Sequence, residues 1–347
     1  MHTDRMAFTL SEDEGHTPVN EGNALASTLE PALRDACRGH LGPVQWFHAT
    51  WQHGGAGTGF AEWTTSRGRK LPCVVKLPVP YREYAWTKRL GLVHEDDWDR
   101  SEPASLPTPR VLAGGFELGT YDFAWLIMER FPGNPLGAHA LTEPDIWDLF
   151  ETTAEFHAAA VLDTPVDLTH PGDEPDWAAL LDRAERQTEA LGLDTAPRWS
   201  AALRRVRNAL PALLDAWQAR PIDTWCHRDV HAHNAMRRAH ADGARGKLAL
   251  IDLARIAPGC WVEDALYLER LCWGREEVLC GVDPVRALAQ TRRGIGLPVD
   301  DADLTLADVR RVLMAATSPA FSRTQGDLVY LGAALDRLER LLPTVCG

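Results

Sequence analysis

Between Ala24 and His40, apolar side chains recur at Leu25, Leu29, Leu33 and Ala36. This spacing predicts a helix closed by Gly39 and Gly42. The texture then changes. Residues 44–51 are rich in β-formers, residues 53–59 form a glycine-rich turn, and residues 60–65 and 71–77 read as two more strands around a turn at 66–69. A helical pattern covers 81–90, and strands are expected at 111–118 and 123–130 with Gly119 between them. The first 130 residues thus predict a mostly antiparallel sheet carrying a helix. Pro132-Gly-Asn-Pro135 breaks the chain, and the pattern turns helical at 143–162, 176–191 and 197–220. A β interlude spans 224–237 and 247–256, followed by expected helices at 262–280, 284–295, 306–316 and 327–342. Residues 1–23, charged and poor in apolar side chains, are expected to be disordered. No repeat at 20–50-residue spacing is present.

With 347 residues and 45% hydrophobic composition, the chain can bury a large core without disulfide or metal staples. Its net charge of −13 argues against a nucleic-acid partner, which requires a basic surface. Seven cysteines without a CxxC pair read as free thiols of a reducing cytoplasm. No apolar stretch is long enough to span a bilayer, and the polar N-terminus has no secretory h-region, so no membrane association is expected. Nothing in the pattern calls for an obligate protein partner. Of 36 basic residues only four are lysine, at 70, 76, 88 and 247, so each lysine carries weight.

The segment with the most chemistry is Trp225-Cys-His-Arg-Asp-Val-His-Ala-His-Asn-Ala-Met236. Asp229 precedes Asn234 by five residues, and the apolar strand that follows delivers Asp252 at its end. Two carboxylates and a carboxamide on adjacent loops suit phosphoryl transfer: one carboxylate takes the proton of an attacking hydroxyl, while the other acid and the amide oxygen are hard ligands for Mg²⁺. Separately, these features could be a surface turn and a strand-end cap. Lys76 ends the apolar run Pro72-Cys-Val-Val-Lys76, where burial calls for an anion, either a nucleotide phosphate or Glu83 on the next helix. A strand-end lysine reaching for water is the plainer alternative. The run Gly54-Gly-Ala-Gly-Thr-Gly59 could lay backbone amides over phosphates, yet it is neither a Walker A loop nor a Rossmann fingerprint.

The order of glycine-rich hairpin, strand lysine, helix glutamate, hinge, helix, HxDxxxxN and strand-Asp resembles the aminoglycoside phosphotransferase family, the small-molecule branch of the protein-kinase-like fold. His227-Arg-Asp-Val-His-Ala-His-Asn234 is similar to the family's HGDLHxxN, and Ile251-Asp-Leu253 to its [IV]D[FW]. Val262-Glu-Asp264-Ala-Leu matches a later aspartate at a helix start, and Ala154-Glu-Phe-His157 its LARLH stretch. The resemblance covers roughly 44–280 and implies an α+β, bilobal kinase-like fold, with an N-lobe over 24–130 and a C-lobe over 131–347. It implies ATP or GTP and Mg²⁺ between the lobes and a small-molecule hydroxyl acceptor: an antibiotic, amino alcohol or sugar. Asp229 takes the place of the base, and Asn234 and Asp252 those of the metal ligands. Lys76 and Glu83 match the phosphate clamp, Gly55, Gly57 and Gly59 the covering loop, and Met128, Glu129, Arg130 and Phe131 the adenine-reading hinge. His227, His231 and Asp264 are expected to support the loop. Departures are Arg228 for the usual glycine and Leu253 for an aromatic, and the short stretch from Asp252 to Val262 leaves no activation segment to seat a peptide.

A zinc hydrolase is the rival from another class, since Cys226, His227, Asp229, His231 and His233 crowd into eight residues. It lacks a convincing distal ligand and leaves Lys76 and the hairpin unexplained. A non-catalytic nucleotide-binding module would not need the base, both metal ligands and the lysine together. No G-x-S-x-G supports a serine hydrolase.

Overall fold

The computed structural model describes residues 19–47, 56–93, 106–166, 174–238, 246–321 and 327–345. Strands β1 (Gln45–Phe47), β2 (Gly57–Thr64), β3 (Lys70–Val79), β4 (Val111–Gly115) and β5 (Ala124–Glu129) form one sheet in the order β1-β2-β3-β5-β4. All its pairings are antiparallel. Because side chains alternate along a strand, the two faces of β3 have different tasks. Leu71, Cys73, Val75 and Leu77 pack with Trp63, Trp125 and Ile127 beneath Leu29 and Leu33 of helix α1 (Val19–Ala36) and Cys37 just after it. Val74, between them, turns to the opposite layer with Leu126 and Met128, and Lys76 shares its alternation. The strand pattern therefore decides that Lys76 leaves the face covered by α1.

Helix α1 begins at Val19, so residues 19–23 are helical rather than disordered as the sequence suggested; residues 1–18 lie outside the described part. Tertiary contact overrides the polar local composition here: the Asn23 amide donates to the Phe47 carbonyl at 3.2 Å and ties this end to β1.

Helix α2 (Tyr81–Gly91) joins the sheet to the rest of the molecule. Its Trp86 and Leu90 belong to the core of the helical part, and Trp86 meets Trp225 with ring centroids 4.7 Å apart. A second tie runs through Arg238, whose guanidinium donates to the Leu106 and Thr108 carbonyls and to Glu129. The Leu250 amide adds a bond to the Pro107 carbonyl.

The helical part contains α3 (Glu143–Asp163), α4 (Trp177–Ala190), α5 (Ala196–Gln218), α6 (Val262–Leu271), α7 (Pro284–Gly294), α8 (Asp301–Thr317) and α9 (Leu328–Val345). Trp199, Trp217, Trp261 and Trp273 are fully buried among them, which assigns these tryptophans to the core. The expected helix 262–280 ends at Leu271: Gly274 takes φ 78°, and a short 3-10 turn, Glu276–Leu279, follows. Helix α8 starts five residues earlier than the apolar pattern implied, because Asp300 and Asp303 form a reciprocal capping box that extends it through a polar first turn. Two short antiparallel ribbons lie among these helices: β6 (Thr224–Cys226) with β9 (Ala257–Gly259), and β7 (Ala235–Arg237) with β8 (Leu248–Leu250). They hold the loop 227–234 and Asp252 side by side.

Candidate active site

On the sheet side, the Lys76 ammonium forms an ion pair with Glu83 of α2. Both are largely buried, Glu83 more so. Burial alone would lower the lysine's pKa, but the charges of Glu83 and then Asp252 outweigh it and hold the group above its ordinary value. The contribution of Asp252 matters for the geometry: the carboxylate at the end of β8 lies within electrostatic reach of a lysine on β3. The two parts of the chain thus bring these charges to one place.

Gly57 and Gly59 pair with Leu77 and Val75, so their missing side chains face the α1 layer and not Lys76. A Cβ on Gly59 would lie 2.4 Å from Val44 Cγ1, so this glycine is needed for β1 to close on β2. Gly55, with the remainder of 48–55, lies outside the described residues. At the other end of β5 the Glu129 amide donates to the Arg110 carbonyl and the Arg130 amide to the Pro72 carbonyl. The Glu129 carboxylate accepts from the Arg110 amide and from Arg238, and the Arg130 guanidinium lies over the Phe60 ring at 3.7 Å. Two of the amides in the expected hinge are therefore already spent within the protein. Met128 is buried in β5.

The loop after β6 is shaped by its main chain. Arg228 adopts φ 63° and Asp252 φ 65°, the left-handed region that L side chains avoid. Asp264, at the start of α6, compensates for the first: Oδ2 accepts from the His227 amide at 2.8 Å and Oδ1 from the Arg228 amide at 2.7 Å. Burial opposes the charge on Asp264, but its bond to His157 and these amide donors hold the carboxyl below the usual range. The Arg228 guanidinium turns to the Pro258 carbonyl and Glu263. His227 bonds the Ile251 carbonyl at 3.1 Å, and the Ile251 amide donates to the Asn234 carbonyl at 2.9 Å. The chain is thus pinned through both main-chain groups of Ile251, immediately before Asp252.

Within the loop, the Asn234 amide nitrogen donates to the Asp229 carbonyl and carboxylate, both at 3.1 Å. That leaves its Oδ1 as the end available to a cation. Asp229 also faces Arg255 at 3.9 Å and His231 at 3.6 Å. Burial lowers the His231 pKa more than Asp229 raises it, which favours the neutral imidazole. Tyr267 completes the surroundings: burial, then its hydrogen bond to Asp229, pushes the phenol up to about 12, so it donates to the carboxylate at neutral pH. The sequence reading missed Tyr267 and Arg255. Each stands three residues after a recognised aspartate, Asp264 and Asp252, which was the available signal.

The histidine-rich segment does not converge as a zinc site. Cys226 is buried with its thiol on the Cys260 carbonyl, His227 is spent on Ile251, and His233 packs against Gly137. Among the described residues, no three His, Cys, Asp or Glu side chains are grouped as metal ligands.

The profile of the phosphotransferase enzyme family, APH, matches residues 82–295. No curated protein sequence matches significantly. Among solved structures, an aminoglycoside phosphotransferase from Alicyclobacillus acidocaldarius is similar over 88% of this chain and 92% of its own, with TM-score 0.52 and 15% identity. A microcompartment-associated aminopropanol kinase is similar over 91% and 95%, with TM-score 0.52 and 11% identity. Likeness at such identities establishes the kinase-like fold, a β-rich part followed by a helical one. The zinc-hydrolase reading finds no support. The family match spans the helix bearing Glu83, the loop with Asp229 and Asn234, and Asp252, and this chain belongs to the APH phosphotransferase enzyme family.

Proposed function

We propose that this small-molecule phosphotransferase moves the γ-phosphoryl group of ATP, or GTP, to a hydroxyl of an aminoglycoside-like antibiotic, an amino alcohol or a sugar. The nucleotide binds between residues 24–130 and 131–347. The observation that carries the reading is the convergence of Lys76, Asp252, Asn234 and Asp229 from two parts of the fold.

Asp229 accepts the acceptor hydroxyl's proton as its oxygen bonds to the γ-phosphorus and the bond to the β-phosphate oxygen breaks, releasing ADP. Tyr267 and Asn234 hold the carboxylate in place by donating to it. Lys76, kept charged by Glu83, neutralises the α- and β-phosphates. With the amides of Glu129 and Arg130 committed and Met128 paired with Val74 in the sheet, the adenine edge falls to Phe131 and to the carbonyls of 129 and 130.

Mg²⁺ fits the donor set: Asn234 Oδ1 and the Asp252 carboxylate are hard oxygens, and Mg²⁺ commonly takes only one or two protein ligands beside phosphates. When bound, it would neutralise charge on the β- and γ-phosphates. Free cysteines fit a reducing cytoplasm, and no described helix is long and apolar enough to cross a membrane.

The test is ADP release with Mg-ATP across a panel of aminoglycosides, amino alcohols and sugars. At least one class should stimulate release. Stoichiometric, tightly held zinc lost on replacing His231 and His233 would overturn the proposal.

A further inference from the structure

A buried line of contacts continues behind Asp264. His157 of α3 places Nε2 2.8 Å from Asp264 Oδ2, and Arg292 of α7 places Nη1 3.0 Å from His157 Nδ1. All three are almost inaccessible, with 1%, 0% and 2% of their surface exposed. A guanidinium can only donate, so Nδ1 must accept and the imidazole's one proton must sit on Nε2, directed at Asp264. Arg292 also donates to the Pro298 carbonyl and lies over the Trp261 ring at 5.6 Å. Among the described residues it has no carboxylate in ion-pair contact. A buried cation so placed costs desolvation, and among the described residues its one hydrogen bond to another side chain goes to His157.

We propose that Arg292 is a positioning residue of the phosphoryl-transfer reaction: it fixes His157 as the neutral Nε2–H tautomer, so that His157 orients the Asp264 carboxylate that holds the amides of His227 and Arg228. Asp264 uses Oδ2 for both His157 and the His227 amide, and Oδ1 for Arg228. If the imidazole took the other tautomer, a lone pair would face Oδ2, the carboxylate would turn, and Arg228 would lose the bond that stabilises its left-handed backbone. Asp229, the next residue, would lose its aim. The inference rests on the reading of Asp229 as the base.

The charged and titratable groups facing His157 are Asp264 from α6, Arg292 from α7 and His227 after β6. Burial lowers the imidazole's pKa first, and Arg292 and His227 lower it further against the pull of Asp264. Removing the guanidinium should therefore raise it. In Arg292→Met, a protonated His157 restores an N–H toward Asp264, whereas a neutral one is free to choose the wrong tautomer.

Two readouts test this. In the wild-type enzyme, ¹⁵N NMR of the histidine rings, with His157 assigned by its loss in His157→Gln, should give the neutral Nε2–H form with no titration from pH 5.5 to 8.5. This requires no Arg292 variant and no activity. In Arg292→Met, kcat should fall by about 10–100-fold at pH 8, the range for a slightly misplaced catalytic group. The KM for ATP should stay within about threefold, and the deficit relative to wild type should shrink at pH 6. Arg292→Lys, which keeps a donor, should recover most of kcat. A wild-type His157 found as Nδ1–H or titrating near neutrality overturns the proposal, as does Arg292→Met with wild-type kcat and pH profile. Should Arg292→Met not fold, the wild-type tautomer and Arg292→Lys still decide. If Asp229→Asn retains turnover, the base assignment fails while the His157 tautomer remains as measured, so the two failures are distinguishable.

Discussion

Lys76 reaches its place through side chains, whereas Asp229 reaches its place through the main chain. The lysine stands on a regular strand, leaves the face covered by α1 by simple alternation, and is held by Glu83 only seven residues away. The aspartate stands on an irregular loop with a left-handed residue before it, and Asp264 holds the two preceding amides from 36 and 37 residues away. The difference has energetic consequences. Loss of the lysine changes one charge in an otherwise intact sheet. Loss of Asp264 leaves buried donors without partners and frees a strained backbone, so stability and catalysis should fall together.

The comparison can be broken at either end. Asp252→Ala should have the largest effect, lowering kcat/KM by about 10³-fold or more, because charge neutralisation and positioning carry this chemistry. Steady-state kinetics against ATP and Mg²⁺ would check it. Asp264→Ala should cost on the order of 3–5 kcal/mol of stability in urea unfolding, as removal of one buried charged partner usually does. It should also lower kcat by about 10²-fold, from misplacement of Asp229.

Lys76→Ala should leave the protein folded, raise the apparent KM for ATP by about tenfold and destabilise by only about 1–3 kcal/mol, the cost of leaving Glu83 buried without its partner. Lys76→Arg should not restore full activity, since a planar guanidinium does not replace a compact ammonium between phosphates. The smallest effect is expected of Arg228→Gly. Relief of a left-handed backbone gains about 1–2 kcal/mol, against lost contacts to the Pro258 carbonyl and Glu263. Net stability should move by less than about 1 kcal/mol. A loss much larger than this would mean that the Arg228 side chain, and not Asp264, secures the turn.

The same contrast explains what could be read in the sequence. The two-part fold, and the proximity of Lys76 to Glu83 and of Asp229 to Asn234, were legible because strand alternation, helix spacing and a loop of fixed length relate near neighbours. Asp264 was legible from its motif, though not which atoms it would hold. Arg292 was not legible: it meets His157 135 residues away through helix packing that no local period encodes. The steric need for Gly59 was hidden for a related reason. The glycine pattern suggests a phosphate loop, and the steric demand at Gly59 comes from Val44, just before the neighbouring strand. The early start of α1 and the early end of α6 were likewise hidden, the first in a polar segment tied down by Phe47, the second behind a continuing apolar pattern broken at Gly274.

Asp229→Ala, compared with wild type for acceptor-dependent ADP release and for Mg-ATP affinity by calorimetry in the same preparation, tests the central claim most directly. Release should fall by about 10²–10⁴-fold, the usual contribution of a general base, while affinity stays within about threefold, because the proposed role sets Asp229 against the acceptor and not the nucleotide. Near wild-type release by this variant would contradict the assignment of Asp229 as the base, and with it the reading of the loop.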